Sequence, residues 1–549
     1  MTVLHNPVIR GFAPDPSLVR VGDWYYLATS SFEWFPTIPI HRSRDLAHWE
    51  YAGHVEGAAP GDSLAGVPDS GGIWAPSLSW DGERFWVTYA IVRSVGTPYF
   101  DLDTYVSTAP DVSGPWTPPR RVPSHGFDPA LFHENGHLWL LNLQNDHRPD
   151  GRRFAGIIAT QLDRETLTTV GPTRLLLQHD RLIEGPKLLK RDGWYVLVLA
   201  EGGTGFEHGV RVARSRNLTG PYDLHERPLL TSRHDPAWTL QKAGHAELVQ
   251  SPEGDWYLSH LTARPLRTPE GPRCPLGRET AIQAVTWDTE GWPRLRHGDT
   301  RPAVTVKVPA GQRPALRGAG LYSICGCRRV GATSPHRPAA DNATPYYTLR
   351  SPAAPSWIDP TTRPGWLRLR GHHGPDSLWS HHLLARRITE HRTEAQVTLQ
   401  ATPTTFTQAA GLLLWYNTSA YYALDLTWTE PAGENQHGQQ WQQQNSGRTV
   451  LTLTTRDENA LHRVSETEVD AATPLTLGVT IDGADARFWH LTGDIRSPIG
   501  PPLDFSRLSD DHGPRLRFTG AMAAIHAVDL VGASFTADFK DFQVTCTPG

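Results

Sequence analysis

The sequence predicts an all-β protein in which a five-bladed β-propeller precedes an antiparallel β-sandwich. The first observation is a short phrase ending in leucine that occurs five times, each time before a glycine turn and an aromatic-aliphatic run. The aligned leucines are 53 to 60 residues apart, a period typical of propeller blades. The second observation is that the phrase stops near residue 300, whereas short strand patterns continue. The five copies are Asp15-Pro16-Ser17-Leu18, Ala75-Pro76-Ser77-Leu78, Asp128-Pro129-Ala130-Leu131, Gly185-Pro186-Lys187-Leu188 and His245-Ala246-Glu247-Leu248.

The repeat region defines a first domain over residues 1–307. Its turn signals are dense, and apolar residues alternate with period two, as in Phe85, Val87 and Tyr89, which indicates strands. The innermost strands of a propeller surround one axis. Residues at corresponding positions of the five copies are therefore expected to face one common pocket.

The second half of the chain is predicted to be a separate β domain. Residues 308–345 are rich in proline and glycine and are expected to form a linker. Residues 346–549 contain many short strand patterns without the repeated phrase, which is typical of an antiparallel sandwich. The glutamine-rich stretch 433–447 is predicted to be a hairpin tip or loop.

Composition excludes several classes of partner and indicates a compartment. The net charge of -5, without a basic block, argues against nucleic acid, and no run of about 18 apolar residues is present to span a membrane. The first residues lack the basic and apolar regions of a signal peptide. Four cysteines in 549 residues suit a reducing compartment, and Cys325-Gly326-Cys327 is too closely spaced for a usual zinc site. We therefore expect a cytoplasmic protein, and the sequence leaves a homo-oligomer open.

The predicted ring around the axis is rich in carboxyl groups. It carries Asp15, Asp128 and Glu184, together with Trp74 and His245. An acidic side chain in an Asp-Pro turn often only satisfies nearby amides. When three acidic groups share one pocket, each makes ionisation of the others less favourable. Such a cluster is therefore not expected from a purely structural role. Glycoside hydrolysis needs such groups, because one carboxyl must be protonated to assist the leaving oxygen and another ionised to activate water.

Several longer motifs resemble glycoside hydrolase family 43 β-xylosidases of the two-domain type. The resemblance covers nearly the whole chain and implies a propeller followed by a concanavalin-like jelly roll. The motifs that carry it are Asn6-Pro7-Val8-Ile9, Phe12 to Ser17, Ala28 to Pro36, Phe127 to Phe132, Ile183 to Pro186, Ala200 to Gly205, Leu276 to Thr280, Arg363 to Leu369 and Phe518 to Ala521.

The resemblance implies a role for individual residues. Asp15 would be the general base, Glu184 the general acid, and Asp128 the residue that sets the pKa and orientation of Glu184. The resemblance further implies substrate contacts from Phe32, Trp74 and Arg278, a place for His245 on the axis below the sugar, and closure of the pocket by Phe518 from the sandwich. For His245, Arg278 and Phe518, a purely structural role is the competing interpretation.

The implied activity is that of an inverting, exo-acting xylan 1,4-β-xylosidase acting on short xylo-oligosaccharides. The alternatives are an α-L-arabinofuranosidase, an enzyme with both activities, and a non-catalytic sugar-binding propeller. No cofactor is expected. Some relatives hold a calcium ion near a histidine such as His245, which leaves a structural calcium ion near the propeller axis open, but the sequence shows no cluster of oxygen ligands. Asn145 stands near a position where some relatives have tryptophan, and this leaves the leaving-group side undefined.

Overall fold

The protein is built from β-strands. The computed structural model describes residues 2–309, 346–429, 447–532 and 534–548. Among these residues the only helices are two single 3-10 turns, Pro60–Asp62 and Phe505–Arg507. None of the described helices has the length and apolar character that a membrane crossing requires. The predicted all-β class is therefore confirmed.

Five antiparallel sheets follow one another along the first half of the chain. The first strand of each sheet contacts the first strands of two neighbouring sheets, so that the five form a closed ring. Glycines with positive φ turn the chain between the first and second strands of every sheet, as Gly22 and Gly193 illustrate. The blades comprise Ser17–Val21, Trp24–Ala28, Pro39–Ser43 and Glu50–His54; Gly72–Trp80, Phe85–Val92, Leu102–Ala109 and Arg120–Val122; Ala130–Glu134, His137–Asn145, Phe154–Leu162 and Arg174–Leu177; Ile183–Arg191, Trp194–Glu201, Gly209–Ser215, Asp223–Leu224 and Leu230–Thr231; and Gln241–Gln250, Trp256–Ala263, Glu279–Trp287 and Pro293–Leu295.

The first and last strands of the propeller region pair with each other and close the ring of blades. Thr2–His5 pairs with Thr305–Val308, and the Asn6 amide donates to the carbonyl oxygens of Ile282 and Ala303, both at 2.8 Å. Because Asn6 precedes the first blade and Ile282 lies in the fifth, these bonds join the two blades that are farthest apart in sequence. A separate small hairpin pairs Leu266–Thr268 with Gly271–Arg273.

The second half of the chain forms two stacked sheets with an apolar core between them. Alternation along Arg392–Ala401 buries every second residue, as expected for a strand with one face on the core. The larger sheet contains Ile358–Asp359, Leu367–Arg370, Thr536–Cys546, Arg392–Ala401, Leu475–Asp482, Asp485–Thr492, Ile495–Pro498 and Leu503–Asp504, and the smaller one Leu383–Arg387, Met522–Asp529, Gln408–Asn417, Ala420–Thr429, Arg448–Asp457 and Ala460–Glu468.

The propeller and the sandwich are joined by strand pairing and by a shared core. Thr348–Leu349 pairs with Trp34–Phe35 of the first blade region. The fully buried Arg350 donates to the Val67 carbonyl oxygen and to Asp69, both at 2.8 Å. A single apolar cluster contains residues of both domains, among them Phe32, Trp34, Trp74, Tyr347, Leu383, Trp415 and Met522.

Some sequence predictions fall on residues that the structure does not describe. These are most of the predicted linker 308–345, with Cys325 and Cys327, and most of the glutamine-rich stretch 433–447. The exact domain boundaries 1–307 and 346–549 stay predictions. The two other cysteines, Cys274 and Cys546, are free thiols.

Candidate active site

In each of the five repeats, the residue at the same position, called here the repeated phase, has a left-handed backbone conformation. Asp15, Ala75, Asp128, Gly185 and His245 each stand three residues before the aligned leucine, and their φ angles lie between 27° and 56°. In three blades a register shift of the first strand occurs at this point. Such bulges re-aim side chains, and here they turn them toward the axis.

The left-handed residues show that the three predicted acids do not occupy one equivalent position. Asp15 and Asp128 stand at the repeated phase, whereas Gly185 takes that phase in the fourth blade and Glu184 precedes it. The Gly185 N–H donates to Asp128 Oδ2 at 2.9 Å. This bond places the carboxyl group of Asp128 beside the backbone that carries Glu184.

Asp15 is held as an anion by its neighbours. Its carboxylate accepts a 2.6 Å hydrogen bond from Ser30 Oγ and a 3.1 Å ionic hydrogen bond from Arg278 Nη1. Burial alone would raise the pKa of Asp15, but the Arg278 guanidinium and the Ser30 hydroxyl bring it below its ordinary value. Asp15 is therefore ionised at neutral pH.

Glu184 has the opposite environment. It is buried, and burial together with the charges of Asp128 and Asp15 raises its pKa well above the ordinary value. Burial also raises the pKa of Asp128 to about 7, with Asp15 adding to the effect. Three groups stabilise ionised Asp128, namely the Gly185 N–H, Lys187 and Arg278, whereas only Arg278 does so for Glu184. Of these two carboxyl groups, Glu184 therefore retains its proton more strongly than Asp128.

His245 lies under the turn that carries Glu184. Its Nδ1 is 3.8 Å from Asp15 Oδ1, and a Cβ on Gly185 would come within 3.0 Å of the imidazole ring. The left-handed φ of 56° also favours glycine at this position. Burial lowers the pKa of His245 to about 4, so the ring is neutral near pH 7. His245 packs against the acids as an uncharged group on the axis.

Aromatic rings and one arginine form a wall beside the acids. Phe32, Trp74 and Phe518 contact one another, with ring centroids 5.4 to 6.1 Å apart. The Arg278 guanidinium lies 5.7 Å from the Phe32 ring and 5.8 Å from the Phe518 ring. These four predicted residues are therefore brought together with Asp15.

Phe518 belongs to this wall and not to the sandwich core. It is half-buried, its N–H donates to Ser70 Oγ at 3.0 Å, and its carbonyl oxygen accepts from Arg278 Nη2 at 3.0 Å. The adjoining segment is docked closely on the propeller, because a Cβ on Gly277 would come within 2.6 Å of the Thr519 carbonyl oxygen. The sandwich thus supplies one side of the pocket.

Several residues of the site were not singled out from the sequence. Ser30 Oγ accepts from the Ala75 N–H at 2.7 Å while donating to Asp15, and so connects the first two blades. Ser70 links Phe518 to Trp74, whose indole N–H donates to the Ser70 carbonyl oxygen. Phe127 packs against Trp74 at 5.6 Å. Phe127 and Ser30 lie inside recognised motifs, whereas no sequence signal distinguishes Ser70.

The side of the site beyond Phe127 is lined by two more rings and an exposed arginine. Phe100 and Phe154 both contact Phe127, and the Arg153 guanidinium lies over both outer rings at 5.5 to 5.6 Å. Asn145 lies between Phe127 and Phe154 in the sequence and is half-buried. Its side-chain amide has no hydrogen-bond partner among the described residues.

No set of metal ligands converges at the axis in the part of the chain that the structure describes. Calcium takes six to eight oxygen ligands, and the positive charges of Lys187 and Arg278 face the axial His245 together with Asp15. Within the described ranges, one group of potential ligands converges, formed by Cys274, Asp510 and Asp511. The Lys242 ammonium already pairs with both aspartates there, at 2.9 and 2.6 Å.

The propeller axis carries a buried anionic carboxylate and a buried protonated carboxyl beside an aromatic wall. These features together identify the protein as a glycoside hydrolase. Comparison with known proteins agrees: residues 4–293 match the model of glycosyl hydrolases family 43, and residues 340–545 match that of the beta xylosidase C-terminal concanavalin A-like domain. The chain belongs to glycosyl hydrolase family 43, and the predicted propeller with a concanavalin-like second domain is confirmed.

Full-length relatives share this two-domain organisation. The chain is 36% identical to xylosidase/arabinosidase 43B of Humicola insolens, over 99% of this chain and 97% of the relative. It is 34% identical to a xylan 1,3-beta-xylosidase of a Vibrio species, over 99% of both chains. The crystal structure of a xylan beta-1,4-xylosidase from Bacillus halodurans C-125 superposes with a TM-score of 0.89 at 36% identity, covering 99% of this chain and all of that one.

Proposed function

We propose that this protein is an inverting, exo-acting β-xylosidase that releases xylose from the non-reducing end of short 1,4-β-xylo-oligosaccharides. The observation that carries the proposal is the contrast between two buried acids. Asp15 is bonded to Arg278 and Ser30, which lower its pKa, whereas burial and the neighbouring carboxylates raise the pKa of Glu184. The xylosidase names of the full-length relatives support the choice of sugar.

The two acids perform complementary proton transfers in a single displacement. Asp15 takes a proton from water, and the water oxygen attacks the anomeric carbon on the face opposite the glycosidic bond. Glu184 gives its proton to the glycosidic oxygen as that bond breaks. The products are xylose of inverted configuration and an oligosaccharide shorter by one unit, with Asp15 protonated and Glu184 ionised. Transfer of a proton back through solvent restores the resting state.

The walls of the pocket support exo action. Phe518 and Arg278 close the side next to Asp15, and the sandwich segment that carries Phe518 is hydrogen-bonded to the propeller. A chain that continued in this direction would meet that segment. We therefore expect a terminal sugar to bind between the wall and Glu184.

An α-L-arabinofuranosidase activity is the second candidate. Most of the wall consists of the rings of Phe32, Trp74 and Phe518, which contact sugar faces and discriminate weakly between hydroxyl patterns. The Humicola relative carries both activities in its name. The linkage is a separate question, because the Vibrio relative is named for the 1,3 bond.

Hydrolysis of four substrates tests the proposal. We expect release of nitrophenol from nitrophenyl β-xyloside faster than from nitrophenyl α-L-arabinofuranoside, and cleavage of 1,4-xylobiose faster than of 1,3-xylobiose. Asp15→Asn and Glu184→Gln serve as controls that keep side-chain size and remove the carboxyl group. Binding of xylobiose without turnover by the unaltered protein would instead indicate a sugar-binding propeller.

We further propose that catalysis needs no metal ion, since Lys187 and Arg278 face His245 on the axis. Activity on nitrophenyl xyloside should be the same after dialysis against EDTA and after addition of calcium. A loss of activity with EDTA that calcium restores would contradict this.

A cytoplasmic location is proposed on the basis of the free thiols Cys274 and Cys546, which suit a reducing compartment. In this location the substrate would be oligosaccharide imported before cleavage. Fractionation of cells that express the protein tests the location, and light scattering tests for a homo-oligomer.

A further inference from the structure

A lysine is buried on the propeller axis, three residues after Glu184 in the same strand. Lys187 has 7% of its surface exposed, although an ammonium group is rarely buried without a function or a close partner. A register shift of this strand separates Glu184 from Lys187. The bulge thus directs both side chains toward the axis.

The ammonium group joins a hydrogen-bond network that spans four blades. Lys187 Nζ lies 3.4 Å from Ser17 Oγ and 3.6 Å from Glu247 Oε2. Ser17 Oγ donates to Glu247 Oε2 at 2.7 Å and accepts from the Leu78 N–H at 2.9 Å. The first, second, fourth and fifth blades each contribute a group. Because Ser17 follows Asp15 by two residues, the network also fixes the strand that carries the base.

Lys187 is one of the few positive charges near the acids. The carboxylates that face it are Glu247, Asp128 and Asp15. Asp128 is in turn faced by Asp15, Glu184, Lys187 and Arg278, and the neutral His245 lies between these groups. The Arg278 guanidinium is already bonded to Asp15 and to the Phe518 carbonyl oxygen. Lys187 pairs with Glu247 and also acts on Asp128, which accepts a hydrogen bond from the Gly185 N–H two residues earlier in the same strand.

We propose that Lys187 is a positioning residue that keeps Asp128 ionised, so that the single proton of the Asp128 and Glu184 pair stays on Glu184. This inference rests on the proposed roles of the acids. A proton on Asp128 would leave Glu184 ionised and unable to assist the leaving group. The buried ammonium, fixed by Ser17 and Glu247, prevents that arrangement.

The test compares two substitutions in the same network that change its charge in opposite directions. Lys187→Met removes the cation, whereas Glu247→Gln removes its counter-charge and keeps the hydrogen-bonding shape. We expect Lys187→Met to lower kcat on 1,4-xylobiose and to move the acidic limb of the kcat/KM profile upward by about 1 pH unit. Glu247→Gln should move that limb downward. Melting temperatures identify the range in which each variant is folded.

A double-mutant cycle with Asp128→Asn shows whether the effect passes through Asp128. In the Asp128→Asn background, both substitutions should shift the acidic limb much less than in the unaltered enzyme. If Lys187→Met does not fold, the Glu247→Gln pair carries the comparison. Equal shifts in both backgrounds, or shifts of the same sign for both variants, would overturn the proposal. The proposed general acid is tested independently by Glu184→Ala, so the two failures are distinguishable.

Discussion

At the residue scale, the neighbours of three chemically similar carboxyl groups give each group a different pKa shift and a different proposed role. Asp15 has a guanidinium and a hydroxyl, Glu184 has two carboxylates, and Asp128 has a backbone amide and a nearby ammonium. The direction of each pKa shift follows from these contacts and from burial.

The role of Glu184 predicts a dependence on the leaving group. A sugar alkoxide needs a proton to leave, whereas nitrophenolate needs little help. Glu184→Ala should therefore lose far more kcat on xylobiose than on nitrophenyl xyloside, and general acid catalysis is worth roughly 10²–10⁴-fold. Asp15→Ala is the matched control and should reduce kcat on both substrates. Equal losses for Glu184→Ala would assign the proton donor elsewhere.

The charge of Asp128 predicts a change in the pH profile. Burial and then Asp128 raise the pKa of Glu184, so removal of the negative neighbour lowers that pKa. Asp128→Ala should therefore move the basic limb of kcat/KM to lower pH and reduce the rate. Rates on xylobiose from pH 4 to 10 measure this. An unchanged basic limb would remove Asp128 from its proposed role.

At the scale of elements, the wall depends on a sandwich segment that has no regular strand. Asp504 caps the short turn Phe505–Arg507, and farther along Asp510 and Asp511 pair with Lys242 of the propeller. Cys274 donates its backbone N–H to Asp511 at 2.8 Å, and Ala521 donates to the Pro275 carbonyl oxygen at 2.8 Å. Because these contacts lie both before and after Phe518 in the sequence, they hold Phe518 over the pocket.

The half-buried position of Phe518 predicts separate effects on binding and stability. Phe518→Ala should raise KM for xylobiose about tenfold, because large side chains at the centre of a binding site are among the minority of residues whose truncation costs more than about 1 kcal/mol. The melting temperature should change little, because the ring is not in the sandwich core. Phe488→Ala, inside that core, is the comparison and should lose about 3–5 kcal/mol of unfolding free energy. A comparable loss in Phe518→Ala with unchanged KM would place its role in folding.

At the scale of the whole molecule, the two domains do not form independent units. The apolar cluster that contains Phe32 and Trp74 continues into the sandwich through Tyr347 and Trp415, and Arg350 is fully buried at the junction. Separation would expose this cluster and leave Glu33, whose pKa burial raises to about 7, without Arg350.

The shared core predicts the result of truncation. A protein ending at residue 345 should aggregate or bind hydrophobic dyes, and it should lack xylosidase activity because Phe518 is missing from the pocket. Size-exclusion chromatography and activity on nitrophenyl xyloside measure this. A monomeric, active truncated protein would show that the sandwich is a separate binding module.

The proposed roles of Asp15 as general base and Glu184 as general acid predict the stereochemistry of the product. Asp15 comes from the first blade and Glu184 from the fourth, and an inverting pair is expected to lie about 6.5–9.5 Å apart to leave room for water. Proton NMR of the first product from a β-xyloside should show α-xylose. Initial formation of β-xylose would contradict inversion.

The sequence alone determined much of this architecture. The period of the leucine phrase predicted five blades, and the glycine turns and alternating apolar residues predicted their hairpins, because these signals are local. It also identified the three acids and the aromatic residues, since they lie within or beside recognisable motifs.

Tertiary structure decided how these residues are used. The left-handed residues place Glu184 one step away from the repeated phase. The charge of Asp15 depends on Arg278, which is far along the chain, and that of Asp128 on Lys187 of the next blade. Ser70 has no sequence signal. Ser17 and Glu247 lie in the repeated phrase, but the phrase does not show that they bond to each other, because the contact links segments distant along the chain. The core shared by the domains was likewise not predictable, since alternation shows that a face is buried but not what covers it.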